Sequence, residues 1–240
     1  MLLTPIQRNW LPPTGQSVEY VAGDDGTYEA GWPSNSSGRF AVATIDGDDL
    51  VYDAATGLWW AADSEKEGCG GDGVTAPGKF SWETPNAWEA GEYADDSIVI
   101  HGTSTYQNTL GGPTSNEPPH GDWTLRNDYT KGAVEYAATH LNVAGWGGFK
   151  DWRLPNVLEL FSVRDIGAEN GAIAEFTNFP ANAYYMSSSS RQGATEAWVV
   201  NFVFTTLLIG RSVKGTALAD YSDAGVMQAI RCCRGGQVNA

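Results

Sequence analysis

Residues 147–156 read Gly147-Gly148-Phe149-Lys150-Asp151-Trp152-Arg153-Leu154-Pro155-Asn156, and the elements on either side of this stretch decide the fold class. Trp152 and Leu154 read as core residues rather than ligand contacts. Arg153 between them is expected to satisfy carboxylates or carbonyls inside, with Glu159 or Asp165 as its partner. Pro155 suits the first position of a short helix, where a missing N–H costs nothing. Val157, Leu158 and Phe161 then form that helix's buried stripe.

Upstream, residues 130–142 carry the clearest helical period. Ala133, Val134, Ala137, Ala138 and Leu141 fall on one face, with Asp128 or Thr130 available as a cap. His140, near the end of this helix, is expected to serve a cap or dipole role. The rest reads as strand and turn. Phe40 to Thr44 and Leu50 to Tyr52 flank the turn-forming Asp46-Gly47-Asp48-Asp49, and Asp53 to Gly57 turns the chain into Leu58-Trp59-Trp60. Asp46, Asp48 and Asp49 suggest a calcium loop only superficially: the 12-residue pattern closed by Glu is missing, so turn chemistry is the reading. Downstream, Trp198, Val200, Phe202 and Phe204 share one strand face. Val226, Gln228, Ile230 and Cys232 share another, in a strand that would pin the tail into a sheet.

Residues 61–128, with scattered Trp82, Trp88 and Trp123, read as a loop-rich insertion carrying short strands. Residues 1–38, broken by Pro5, Pro12, Pro13 and several glycines, read as an N-terminal arm or attachment segment. One domain is expected over residues 39–236. Ten Trp, ten Tyr and eight Phe in 240 residues are enough for a real core, while 29 Gly and 11 Pro demand many turns.

The net charge of −15 is unevenly placed. Residues 1–120 hold four Lys and Arg against eighteen Asp and Glu, a balance of −14; residues 121–240 hold ten against eleven. Phosphate backbones and anionic membranes are repelled by such a surface, so neither nucleic acid nor membrane is an expected partner. Solubility accounts for the acidity before an acidic docking surface does. No stretch approaches the ~20 apolar residues of a membrane helix, so no membrane insertion is expected. Met1 to Ile6 is too short for a secretory signal, which leaves a removed signal or an exit without one, as for a virion component released by lysis.

Several phrases, taken together, resemble one family. Asp53-Ala54-Ala55-Thr56-Gly57-Leu58-Trp59-Trp60 is similar to its D-x-x-T-G-L-x-W hairpin. Ala133 to Leu141 followed by Asp151-Trp152-Arg153-Leu154-Pro155 is similar to its helix and D-W-R-L-P signature. Tyr185-Met186-Ser187-Ser188 resembles Y-W-S-S, with Met in place of Trp. Ala197-Trp198-Val199-Val200-Asn201-Phe202 resembles A-W-x-V-N-F, and Ile230-Arg231-Cys232-Cys233-Arg234-Gly235 resembles the closing V-R-C-V-R-G. The chain thus resembles the Lcl C-terminal-domain family. That resemblance implies an α+β, C-type-lectin-like fold, with two short helices, antiparallel sheets and long loops, related to formylglycine-generating enzymes and to the variable proteins of diversity-generating retroelements.

Catalytic chemistry finds little support. His101, His120 and His140 lack metal-ligand spacing, and G-x-S-x-G, phosphate-loop and H-E-x-x-H motifs are absent. The formylglycine-generating relatives use two spaced cysteines near the C-terminus, whereas Cys232 and Cys233 are adjacent in what reads as a strand and point to opposite faces. A bridge between these two would be strained. Any disulfide would join Cys69 to one of them, and buried reduced thiols are the other reading. No enzyme activity, cofactor or metal is expected.

Between Tyr184 and Ile230 the resemblance implies displayed, variable residues. Phe202 to Val213 and Gly215 to Val226 contain only residues that NNC codons encode, with Lys214 the single interruption; chance in a segment rich in small residues is the competing account. Tyr184, Arg191, Thr195, Thr205, Thr206, Arg211, Asp220 and Tyr221 are the expected ligand contacts, on a rigid scaffold. Leu207, Leu208 and Ile209 form either core or an interface patch. The expected function is recognition of a host-surface protein or glycan by a phage virion, in its tail or on its surface, as a homo-oligomer held to other virion subunits through the arm. The alternatives are a structural virion subunit, for decoration or tail, and a secreted glycan-binding adhesin at a bacterial cell surface.

Overall fold

The computed structural model describes residues 19–22, 38–62, 80–95, 97–127, 130–165, 175–176, 184–192, 196–202, 209–213 and 229–235. The arm expected over residues 1–38 therefore lies almost wholly outside the described residues, as do Cys69, Phe204, Leu207, Leu208 and the stretch from Val226 to Gln228.

Strands β1 (Phe40–Ile45) and β2 (Asp48–Asp53) form a hairpin. Its turn is Asp46-Gly47 alone, with φ of 52° and 91°, a left-handed pair that matches the twist of the flanking strands. Asp48 and Asp49 are already inside β2. The Asp49 carboxylate accepts the Thr44 hydroxyl at 2.7 Å, and that of Asp48 accepts the Gly147 N–H at 2.7 Å. These are turn and loop contacts, as the sequence suggests. β3 (Leu58–Ala61) follows Gly57 and pairs with β2, and β10 (Cys233–Gly235) adds to its other side, giving the order β1-β2-β3-β10. The tail is therefore threaded into a sheet, several residues later than the strand expected to span Val226 to Cys232.

The insertion supplies a second sheet, β4 (Ile98–His101), β5 (Ser104–Asn108) and β6 (Trp123–Asn127). The third is β7 (Tyr184–Ser190), β8 (Glu196–Asn201) and β9 (Ile209–Val213). Among the described residues these strands pair antiparallel, while the isolated bridges of Ala87 with Ile100 and of Tyr185 with Ala229 are parallel. With two short helices, the architecture is α+β.

Helix α1 spans residues 133–144, with its middle, Ala137–Leu141, wound as a π-turn in which the Asn142 N–H reaches the Ala137 carbonyl. Its buried residues are Ala133, Tyr136, Ala137 and Leu141, whereas Val134 is 40% exposed and Ala138 is also exposed. The buried stripe is thus rotated from the expected one, because Tyr136 outweighs Val134 and Ala138 in apolar area. No side chain caps α1. The Ala133 and Val134 N–H groups instead donate to the carbonyls of Ser81 and Trp82, at 2.9 and 3.3 Å. His140 stacks on Tyr136, with ring centroids 5.2 Å apart.

Helix α2 (Val157–Ser162) begins two residues beyond Pro155, with Asn156 as N-cap in a full capping box with Glu159. Of the expected stripe, Val157 and Phe161 pack against the second core, whereas Leu158 turns outward, 72% exposed, and Leu160 takes its place inside, fully buried.

The strands of the first and third sheets lie between two cores, and alternation sorts their residues. Leu50, Ala61, Met186, Val199, Ile230 and Cys232 face one cluster, closed by α1, Trp146, Trp152 and Leu154. Val51, Trp60, Tyr185, Val200, Ala229 and Cys233 face the other, closed by Leu160, Val163 and Phe176. Period-two strands buried on both faces read as near-continuous apolar runs, as Val199-Val200 and Cys232-Cys233 do. Trp198, expected in the core, is only half-buried.

Candidate functional site

The polar residues of the recurring phrases bond to one another. Asp53 takes two hydrogen bonds from Arg39, at 2.8 and 2.7 Å, and others from the Ala55 N–H and the Thr56 hydroxyl. Arg39 also donates to the Ser162 carbonyl at the end of α2. Arg153 grips Glu159 with both terminal nitrogens, at 2.8 and 2.7 Å, and reaches the Gly235 carbonyl. Its backbone exchanges two hydrogen bonds with Cys233, at 2.8 and 2.9 Å. Of its two expected partners, Glu159 is therefore the one engaged. The Asn142 amide brackets Trp152, accepting from its N–H and donating to its carbonyl. Ser188 donates to the Pro155 carbonyl, and the Ser189 hydroxyl accepts the Val157 N–H. Arg231, fully buried, donates to the carbonyls of Ala61 and Ala62. These groups build a frame.

Cys232 and Cys233 are both thiols, buried in different cores. Burial pushes the Cys233 thiol up to about 12, against the opposing pull of Arg153. Such a thiol is a poor nucleophile at neutral pH. Among the described residues, no group of three or more His, Cys, Asp or Glu could hold a metal ion, and no helix is long and apolar enough to cross a membrane.

Of the residues expected to meet a ligand, Tyr184, Arg191 and Arg211 are described, and they lie in or beside the strands of the third sheet. Thr195, Thr205, Thr206, Asp220 and Tyr221 lie outside the described residues. Arg191 is exposed in the β7–β8 turn, where its backbone N–H donates to the Glu196 carbonyl at 2.9 Å and its guanidinium pairs with the Glu196 carboxylate. Tyr184 is half-buried against the first core. In the β8–β9 register Arg211 stands opposite Trp198, a position on the other face from Tyr184. Tyr184 and Arg211 thus occupy positions of opposite parity along paired strands.

Among the described residues of the segment expected to vary, several are scaffold. Tyr185, Met186, Ser187, Ala197, Val199 and Val200 are fully buried. Among the described residues, exposed or half-exposed positions that the sequence reading missed include Ser188, Ser189, Ser190, Gln192, Glu196 and Trp198. The signal for Glu196 was available, as a charge opposite Arg191 across a short turn. That for the serines was not, since a register shift between Met186 and Ser190 breaks the alternation.

A three-sheet α+β domain with its phrase residues locked into a frame is what these observations define. The family model of the Lcl C-terminal domain matches residues 49–219, and the chain belongs to that family. The closing Arg231 to Gly235 lies beyond the matched interval, although β10 completes the first sheet. No curated protein and no solved structure matches the chain.

Proposed function

We propose that this chain is a non-enzymatic ligand-recognition module with a C-type-lectin-like fold, serving as a receptor-binding or adhesion protein of a phage virion. One observation carries the reading. Phe202 and Ala229, both buried, bound residues 203–228, and the two ends are tied to one strand: Tyr185 pairs with Val200 and bridges to Ala229. Within that segment β9 is itself held to β8, so the frame fixes its two ends and its middle strand, and residues on either side of that strand can change without altering the anchors. The inert thiols in separate cores support a role without covalent catalysis.

The partner on this reading is a host-surface protein or glycan. The N-terminal arm would join the module to other virion subunits in a homo-oligomer. The acidity disfavours a polyanionic ligand. The test is binding of the purified chain to a panel of intact bacteria, beside variants with Ala at Thr205, Thr206, Asp220 and Tyr221. The expected result is binding to some strains, lost by at least tenfold in the variants while the thermal midpoint stays unchanged. Binding to no strain, with co-purification of capsid or tail subunits instead, would replace this reading with a structural one. In the coding DNA, adenine-rich codons over residues 202–226 would support variable display.

A further inference from the structure

A second surface is left over from the frame. On the β1-β2-β3-β10 sheet, Ala41, Tyr52, Trp59 and Arg234 occupy one cross-strand row. In the neighbouring row on the same face, Ala43, Leu50 and Ala61, the last two belong to the first core, and a Cβ at Gly147 of the Trp146-Gly147 turn would press on the Leu50 side chain at 3.0 Å. The outer row is more open. Ala41 is exposed, and Tyr52 and Trp59 are half-exposed with ring centroids 4.8 Å apart. Phe149 stands over the far end, 6.5 Å from Trp59, and the Arg234 guanidinium lies 3.6 Å from its ring centre. Asp151, its side chain 54% exposed, closes the rim by accepting two hydrogen bonds from Arg234, at 2.6 and 3.1 Å.

We infer that this aromatic shelf binds a neutral saccharide. The chemistry that fits is a ring with an apolar C–H face and hydroxyls at its edge. Tyr52 and Trp59 offer flat, amphipathic area at low entropic cost. The Arg234–Asp151 pair offers a planar donor and acceptor side by side, the arrangement that vicinal hydroxyls satisfy in pairs. Charge selects within the class. The rim pair is neutral in sum, and a chain of net charge −15 repels sulfated or uronic polymers. A proline-rich peptide would use the rings but would leave the Asp151 carboxylate, an acceptor only, facing its carbonyls. The inference extends the recognition reading to a surface remote in sequence from residues 203–228, so the two can fail separately.

Titration calorimetry and saturation-transfer NMR of the full chain with cellohexaose, chitohexaose and heparin test it. At least one neutral hexasaccharide should bind, and heparin should not. Asp151→Asn, at an exposed site, and Tyr52→Ala should each weaken that binding about tenfold, with the thermal midpoint unmoved. Arg191→Ala should leave it intact. Binding of heparin alone, of neither sugar at millimolar concentration, or binding indifferent to both shelf substitutions overturns the inference. So does capture of a proline-rich peptide at the shelf without any sugar.

Discussion

Arg39 and Asp53, fourteen residues apart, meet through two hydrogen bonds of 2.8 and 2.7 Å at a place solvent does not reach. Asp53 closes the turn into β3, and Arg39 carries the contact on to the last turn of α2. One ion pair therefore couples the first hairpin to the second helix.

Removing one partner of a buried pair strands the other. Asp53→Ala should cost about 3–5 kcal/mol, since the Arg39 guanidinium would remain desolvated without its counter-charge. Urea unfolding followed by tryptophan fluorescence measures it. A loss below about 1 kcal/mol would mean that water reaches Arg39.

Gly132 precedes α1, and a Cβ there would lie 2.2 Å from the Glu83 carbonyl carbon and 2.6 Å from the Thr84 nitrogen. Both are backbone atoms and cannot swing aside. Gly132→Ala should thus destabilise by about 3 kcal/mol through overpacking, although alanine favours helices elsewhere. A neutral change in thermal midpoint would contradict the close approach.

Glu159 serves two masters, the Asn156 N–H at 2.8 Å and the Arg153 guanidinium. Glu159→Gln keeps a capping acceptor and loses the ion pair, so a cost of roughly 1 kcal/mol is expected for this half-exposed site. Asn156→Ala should cost about 1 kcal/mol as well. The double variant should lose less than the sum, because both act on one capping box. Strict additivity in a double-mutant cycle would separate them.

Cys233 gives a pH signature. Its folded-state thiol keeps its proton up to about 12, against a usual value of 9.0. The unfolded chain releases that proton more readily, so stability is unaffected below pH 9 and falls as pH rises from there toward 12. Cys233→Ala should flatten this alkaline slope. A thiol reagent at pH 8 should label neither Cys232 nor Cys233 until denaturant is added; prompt labelling of either in the native protein would refute its burial.

Periodicity and local chemistry made much of the fold legible. Short apolar runs flanking a turn announced β1 and β2, the Asp-Gly turn announced their hairpin, and the Asp53 to Gly57 turn was readable because its contacts span two or three residues. Arg153 with Glu159 was within reach for the same reason, lying six residues apart. The rotation of α1 was not, since it depends on the Ser81 and Trp82 carbonyls that meet the helix start. The start of α2 turned on a competition between proline preference and the asparagine cap, which the Asn156–Glu159 capping box won.

By itself, then, the sequence determined the class of elements, the turn chemistry and the apolar double runs that two cores require. Only the tertiary structure decided which face each residue meets. It supplied the two cores that Cys232 and Cys233, already on opposite faces by adjacency, separately enter, placed Tyr184 and Arg211 at positions on opposite faces, and brought Phe149 and Arg234 from two distant segments to the Tyr52–Trp59 hairpin pair. The physical reason is that strand register is a long-range property: one residue of slip exchanges inside for outside, and no local preference senses it.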